Sequence, residues 1–165
     1  MTTTSVSRVF NFSAGPAALP LPVLQQIQDE LISLPGVGAS VMEISHRSKD
    51  FDAIIEDAET RVARLIGMPD THQVLFLQGG SALQNVMMPM NFLTDNSQTA
   101  DYILTGAWSK KSAAEVERFG NLNVAWDGSG DGFHRAPSQD ELQLTKNAAY
   151  CHLTSNETIH GVQFK

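Results

Sequence analysis

The residues of this 165-residue chain whose types and order could do chemistry by themselves are Gly79-Gly80-Ser81-Ala82-Leu83-Gln84. Two glycines open a helix-forming run, and the first turn of a helix presents backbone N–H groups without intrahelical partners, together with partial positive charge. Such a terminus favours an anion, and the glycines let the backbone turn tightly and come close to a ligand. The chemistry on offer is a phosphate cradle. The same residues also read as an ordinary strand-to-helix turn, and so short a motif leaves both readings open. Other candidate groups are weaker. Arg47, beside His46, carries a fork that suits carboxylate or phosphate, but near Asp50 and Asp52 it reads by itself as a solvated surface cation. Cys151 lies in an apolar run and reads as a small core residue rather than a nucleophile. Residues 127–132 look like a calcium loop only superficially, because the downstream glutamate is not at the required spacing, so they read as turns.

The elements that must position these groups follow from periodicity. After a polar amino-terminal tail, a Gly15-Pro16 pair breaks regular structure, and Pro20 and Pro22 suit the first turn of a helix carrying Leu24, Ile27, Leu31 and Leu34 on one side. Val41-Met42-Glu43-Ile44 reads as a short extended run ending at His46-Arg47. A second helix holds Phe51, Ile54, Ile55, Ala58, Val62, Leu65 and Ile66 as one stripe and stops at Gly67. Val74-Leu75-Phe76-Leu77 predicts a buried strand leading into the Gly79-Gly80 turn, and the helix after it runs from Ser81 to about Phe92. In that helix Met87-Met88-Pro89-Met90 is core with a proline kink. Residues 101–104 then predict a strand, residues beyond Trp108 a helix reaching Phe119, residues 121–126 a strand, Ser138 the cap of a short helix, and residues 148–153 a buried strand.

Strands alternating with helices give an α/β fold, a mostly parallel sheet with helices on both faces. Ligands of such sheets sit beyond the carboxyl ends of the strands. That rule brings residues 79–82, 106–108 and 155–158, together with 45–47, to one rim.

Composition narrows the class. A net charge of −7 and a pI near 5.1, with no run of basic residues, argue against nucleic acid as the main partner. One cysteine excludes an internal disulfide and fits a reducing compartment. No stretch is long and apolar enough to span a membrane, and the amino terminus has no apolar signal core, so the expected location is cytoplasmic.

Five motifs occur in register across the chain: residues 11–17 (Asn-Phe-Ser-Ala-Gly-Pro-Ala), 43–48 (Glu-Ile-Ser-His-Arg-Ser), 78–82 (Gln-Gly-Gly-Ser-Ala), 105–110 (Thr-Gly-Ala-Trp-Ser-Lys) and 155–161 (Ser-Asn-Glu-Thr-Ile-His-Gly). In that order they resemble the phosphoserine aminotransferases, class V enzymes of pyridoxal phosphate fold type I. The resemblance implies pyridoxal 5'-phosphate as cofactor, with Gly80, Ser81 and Ala82 holding its phosphate, Trp108 stacking on its pyridine ring and Thr158 bonding its phenolic oxygen. It implies that Arg47, His46 and Ser13 contact substrate. The implied reaction moves an amino group between L-glutamate and a phosphorylated 2-oxo acid, in a homodimer whose active site lies at the subunit interface. Relatives such as alanine–glyoxylate aminotransferases and cysteine desulfurases share the fold and stand as an alternative, as does a non-catalytic fragment.

One part of the pattern is missing. The family carries its cofactor on a Schiff-base lysine, with an aspartate at the pyridinium nitrogen, and both lie beyond the position of Lys165. Lys49, Lys110, Lys111, Lys146 and Lys165 sit in no matching motif. The expectation is an amino-terminal segment plus the first part of the large cofactor domain, residues 1–165, without the rest of that domain or the small carboxyl-terminal one, and inactive by itself. An interrupted parallel sheet is also expected to expose apolar surface and an unpaired edge.

Overall fold

The computed structural model describes residues 7–165, so residues 1–6 of the expected polar tail, which reaches Arg8, lie outside it. The chain divides into two compact units, one ending at Phe76 and the other running Leu77–Lys165.

The first unit contains two helices, α1 (Leu21–Glu30) and α2 (Lys49–Ile66). Pro20 and Pro22 bracket the start of α1, where missing N–H groups cost nothing. The helix ends earlier than its apolar spacing predicts. Leu34 instead closes a turn with Ala39 at 2.9 Å, and Gly36 and Gly38 supply positive φ there. α2 has complete signals at both ends. Ser48 Oγ accepts the amide of Phe51 at 3.2 Å, Asp50 and Asp52 lie in the first turn, and Gly67 at φ 61° caps the other end. Residues 41–44 form a turn and not the expected extended run. Ser40 and Glu43 explain the difference: the Glu43 carboxylate accepts the Ser40 amide at 3.0 Å, and Ser40 Oγ accepts the Met42 amide at 3.2 Å. These local side-chain bonds offer the backbone an alternative to a ladder.

Residues 74–77 also depart from expectation. They form no strand, and Leu75, Phe76 and Leu77 are exposed. An apolar run becomes a buried strand only when a neighbouring strand takes its N–H and C=O groups, and no described residue does so here.

The second unit opens with α3 (Gly80–Phe92) and continues through β1 (Thr99–Leu104), α4 (Ala107–Ala113), β2 (Asn121–Asp127), β3 (Tyr150–Leu153), β4 (Asn156–Glu157) and β5 (Val162–Gln163). Pro89 lies inside α3 without ending it; the helix stops at Leu93, whose amide still reaches Pro89 O at 2.9 Å. The sheet has order β2-β1-β3 with both pairings parallel, as the alternation of elements requires. β4 and β5 make a separate antiparallel pair.

Period-two alternation along β1 sends Ala100, Tyr102 and Leu104 to one face, where they pack with Leu93, Ala113 and Val116 under Phe119, Leu122 and Tyr150. The Tyr102 and Tyr150 hydroxyls meet at 3.1 Å within this core. Asp101 points the other way, buried, and accepts from Asn123 Nδ2 at 2.9 Å and from the Thr145 amide at 2.8 Å. Two helical expectations are shortened. α4 gives way to a 3₁₀ turn at Val116–Arg118 before Gly120, and the helix capped by Ser138 is one 3₁₀ turn, Gln139–Glu141. Cys151 is exposed rather than in the core, because β3 alternates and has β1 on one side only. Partial burial and the nearby Asp101 charge raise its thiol pKa, which disfavours the reactive thiolate.

Candidate functional site at the carboxyl ends of the strands

β1 ends at Leu104, and the chain turns through Thr105 and Gly106 into α4. Ser109, one turn in, organises this corner. Its Oγ accepts the amides of Thr105 at 2.9 Å and Gly106 at 3.0 Å, and donates back to Gly106 O at 3.0 Å. The amino end of α4 is then closed by residues from the β4 region. Glu157, 0% exposed, accepts the Trp108 amide through Oε2 at 3.0 Å and the Ser109 amide through Oε1 at 2.7 Å. The Ala107 amide reaches His160 Nδ1 at 3.4 Å. A buried carboxylate with no ion pair among the described residues is tolerable here because it meets helix-terminal donors.

α3 is the opposite case. Gly79 and Gly80 stand at φ 89° and 56°, and no side chain caps the helix. The amides of Gly80, Ser81 and Ala82 find no acceptor among the described residues. A Cβ on Gly79 would lie 2.5 Å from Leu83 Cβ, so the glycine is required by contact as well as by conformation. Of these two helix termini that follow glycines, one is filled by the chain's own carboxylate and the other keeps its donors open.

Trp108 and Thr158 meet: the indole N–H donates to Thr158 Oγ at 2.9 Å, with Trp108 39% exposed and Thr158 on the surface. Lys111 Nζ lies 5.8 Å from the Trp108 ring centroid. Ser13, His46 and Arg47 belong to the first unit, all three exposed. Ser13 donates its amide to Asn11 Oδ1 at 2.9 Å as part of a local turn, and Arg47 forms no ion pair among the described residues. Among the described residues no group of three or more His, Cys, Asp or Glu is placed to hold a metal ion, and no helix is long and apolar enough to cross a membrane.

The family model for aminotransferase class V matches residues 9–165. The chain belongs to the class-V aminotransferase family. Among class-V aminotransferases it is similar to the phosphoserine aminotransferase of Pseudomonas putida, 54% identical over 157 residues, and to that of Xylella fastidiosa, 50% identical over 158 residues. These alignments take in 95% and 96% of the chain but 43% of each relative, so the chain spans less than half the length of the curated relatives it matches. Solved class-V structures agree: a phosphoserine aminotransferase from Bacillus circulans subsp. alkalophilus superposes with TM-score 0.88 at 46% identity, and a pyridoxal phosphate-bound one from Trichomonas vaginalis with TM-score 0.84 at 35%. Each covers 96% of the chain and is itself covered for 44%. The fold is therefore that of pyridoxal phosphate fold type I, as the motifs imply.

Two residues without an assigned role in the sequence analysis turn out to matter here, Glu157 and His160. Both lie within the 155–161 motif, but no local pattern marks Glu157 as buried. Its signal is spatial: a Cβ on Gly106 would meet Glu157 Cδ at 2.6 Å and His160 Nδ1 at 2.8 Å, across about fifty residues of sequence.

Proposed function

We propose that this chain is the cofactor-cradling amino-terminal portion of a phosphoserine aminotransferase. The protein would transfer the amino group of L-glutamate to 3-phosphohydroxypyruvate, giving O-phospho-L-serine and 2-oxoglutarate, in serine biosynthesis in the cytoplasm. The single observation that carries the reading is the open amino end of α3, where three adjacent amides stand ready for a phosphate while the neighbouring terminus of α4 is filled. The residues fit pyridoxal 5'-phosphate. Gly80, Ser81 and Ala82 would hold its phosphate, the exposed Trp108 would cover its ring, and the Thr158 hydroxyl, which accepts from the indole and keeps its own hydrogen, would donate to its phenolic oxygen. Bound there, the cofactor supplies an electron sink for the substrate's α-carbon.

This chain's own part is binding and orientation. Ser81 and Ala82 fix one end of the cofactor, Trp108 and Thr158 fix the ring between them, and the guanidinium of Arg47, aided by His46 and Ser13, would take an anionic group of the substrate. The exposure of Arg47 and its lack of an ion-pair partner among the described residues support that role, in a homodimer where it serves the partner's cofactor. The lysine that carries the cofactor would come from the part of the family's length that this chain does not span. The test uses the full-length protein: a pyridoxal phosphate absorbance band and glutamate-dependent amination of 3-phosphohydroxypyruvate are expected. A folded full-length protein with no cofactor band overturns the reading.

A further inference from the structure

We propose that Glu157 is a positioning residue that sets Trp108 and Thr158 as a single unit facing the cofactor ring, an inference that rests on the cofactor reading above. Glu157 and Thr158 are adjacent in sequence and take hold of the same tryptophan at two points. The Glu157 carboxylate accepts the backbone amide of Trp108 at 3.0 Å, and Thr158 Oγ accepts its indole N–H at 2.9 Å. A second bond from Ser109 N–H, at 2.7 Å, fixes the carboxylate in both of its oxygens. The side chain is 0% exposed and forms no ion pair among the described residues, so the amides of α4's first turn are what satisfy it. Gly106 makes the approach possible, since any side chain at that position would overlap Glu157 Cδ at 2.6 Å.

The consequence for geometry is specific. An indole N–H is a donor only, so Thr158 Oγ is the acceptor and its own hydrogen remains for a ligand. The direction of that hydrogen depends on where the indole sits, and the indole sits where the amide of Trp108 is held. Glu157 is fully buried, so it acts through Trp108 and Thr158.

The test follows the exchange of the Trp108 indole N–H with solvent in the full-length protein, the indole of Trp126 serving as the internal reference. E157Q removes the charge and turns one acceptor into a donor that faces an amide. G106A keeps the carboxylate but displaces it. Both variants are expected to speed exchange at Trp108 about tenfold, the size of one lost hydrogen bond, with Trp126 unchanged. Unchanged exchange at Trp108 in a folded variant overturns the proposal. Equal loss at both indoles in both variants also overturns it, by marking Glu157 as a general stability residue. The second readout is pyridoxal phosphate titrated into the full-length protein, where E157Q is expected to raise the dissociation constant about tenfold through misplacement of the pair. If the unaltered full-length protein binds no pyridoxal phosphate, the cofactor reading fails, while the indole result still decides whether Glu157 positions Trp108.

Discussion

The Trp108 indole and the Thr158 hydroxyl form a 2.9 Å hydrogen bond that joins α4 to the segment after β3, fifty residues later. Replacing Thr158 with Val keeps the shape and removes the acceptor. The expected outcome is weaker pyridoxal phosphate binding by the full-length protein, about tenfold, with T158S close to the parent because it retains the hydroxyl. Equilibrium titration of the cofactor band checks both.

Gly79 carries two separate demands, φ 89° and a 2.5 Å approach of any added Cβ to Leu83. G79A is expected to destabilise the chain by about 1–3 kcal/mol through left-handed strain and overpacking. Urea unfolding measures this. By contrast, G130A, at a glycine with open space around it and no positive φ, should shift the midpoint very little.

Arg135 and Glu141 make a bidentate pair at 2.7 Å on both bonds, and Ser138 adds its amide at 2.8 Å. The Arg135 hydrogen bond, followed by those from Ser138, holds the Glu141 carboxyl down at about 2, against an ordinary value of 4.5. A depressed carboxylate stabilises the fold fully above its unfolded value, and that contribution is lost as pH falls from about 4.5 to about 2. E141Q is therefore expected to flatten the acid limb of stability against pH in that window. The group is solvent-exposed, so the change is small, and salt reduces it further.

Arg47 gives a prediction about substrate. R47A in the full-length protein is expected to raise KM for the phosphorylated oxo acid by ten- to a hundredfold (an order-of-magnitude figure of about 1.4–2.8 kcal/mol for a charge-assisted bidentate contact), with a smaller effect on unphosphorylated oxo acids. Steady-state kinetics with both substrate classes checks it. An equal loss for both classes favours a class-V relative that acts on unphosphorylated substrates.

Much of the fold was legible because its signals are local. Ser48, the Phe51–Ile66 stripe and Gly67 announce α2 completely, and the α3 boundaries differ from expectation by a single residue at Gly80. The parallel sheet followed from alternation of elements alone. What failed depended on strand neighbours that are not described, on local side-chain bonds, or on contacts distant in sequence. Residues 74–77 have the composition of a strand, but a strand is defined by its neighbour. Residues 41–44 lost their extended form to two side-chain bonds from Ser40 and Glu43 that no hydrophobic pattern encodes. At the site, the Gly79-Gly80 loop and Trp108 stood out by type and place, whereas Glu157 was invisible. A glutamate in a polar heptapeptide reads as solvated until Gly106 is seen making room for it.

That buried carboxylate has one more consequence, for how the molecule tells anions apart. Helix amino ends with open amides would ordinarily compete for the same anion. Because Glu157 already takes the amides of Trp108 and Ser109, the start of α4 has little to offer an incoming anion, whereas the amides of Gly80, Ser81 and Ala82 keep no acceptor among the described residues.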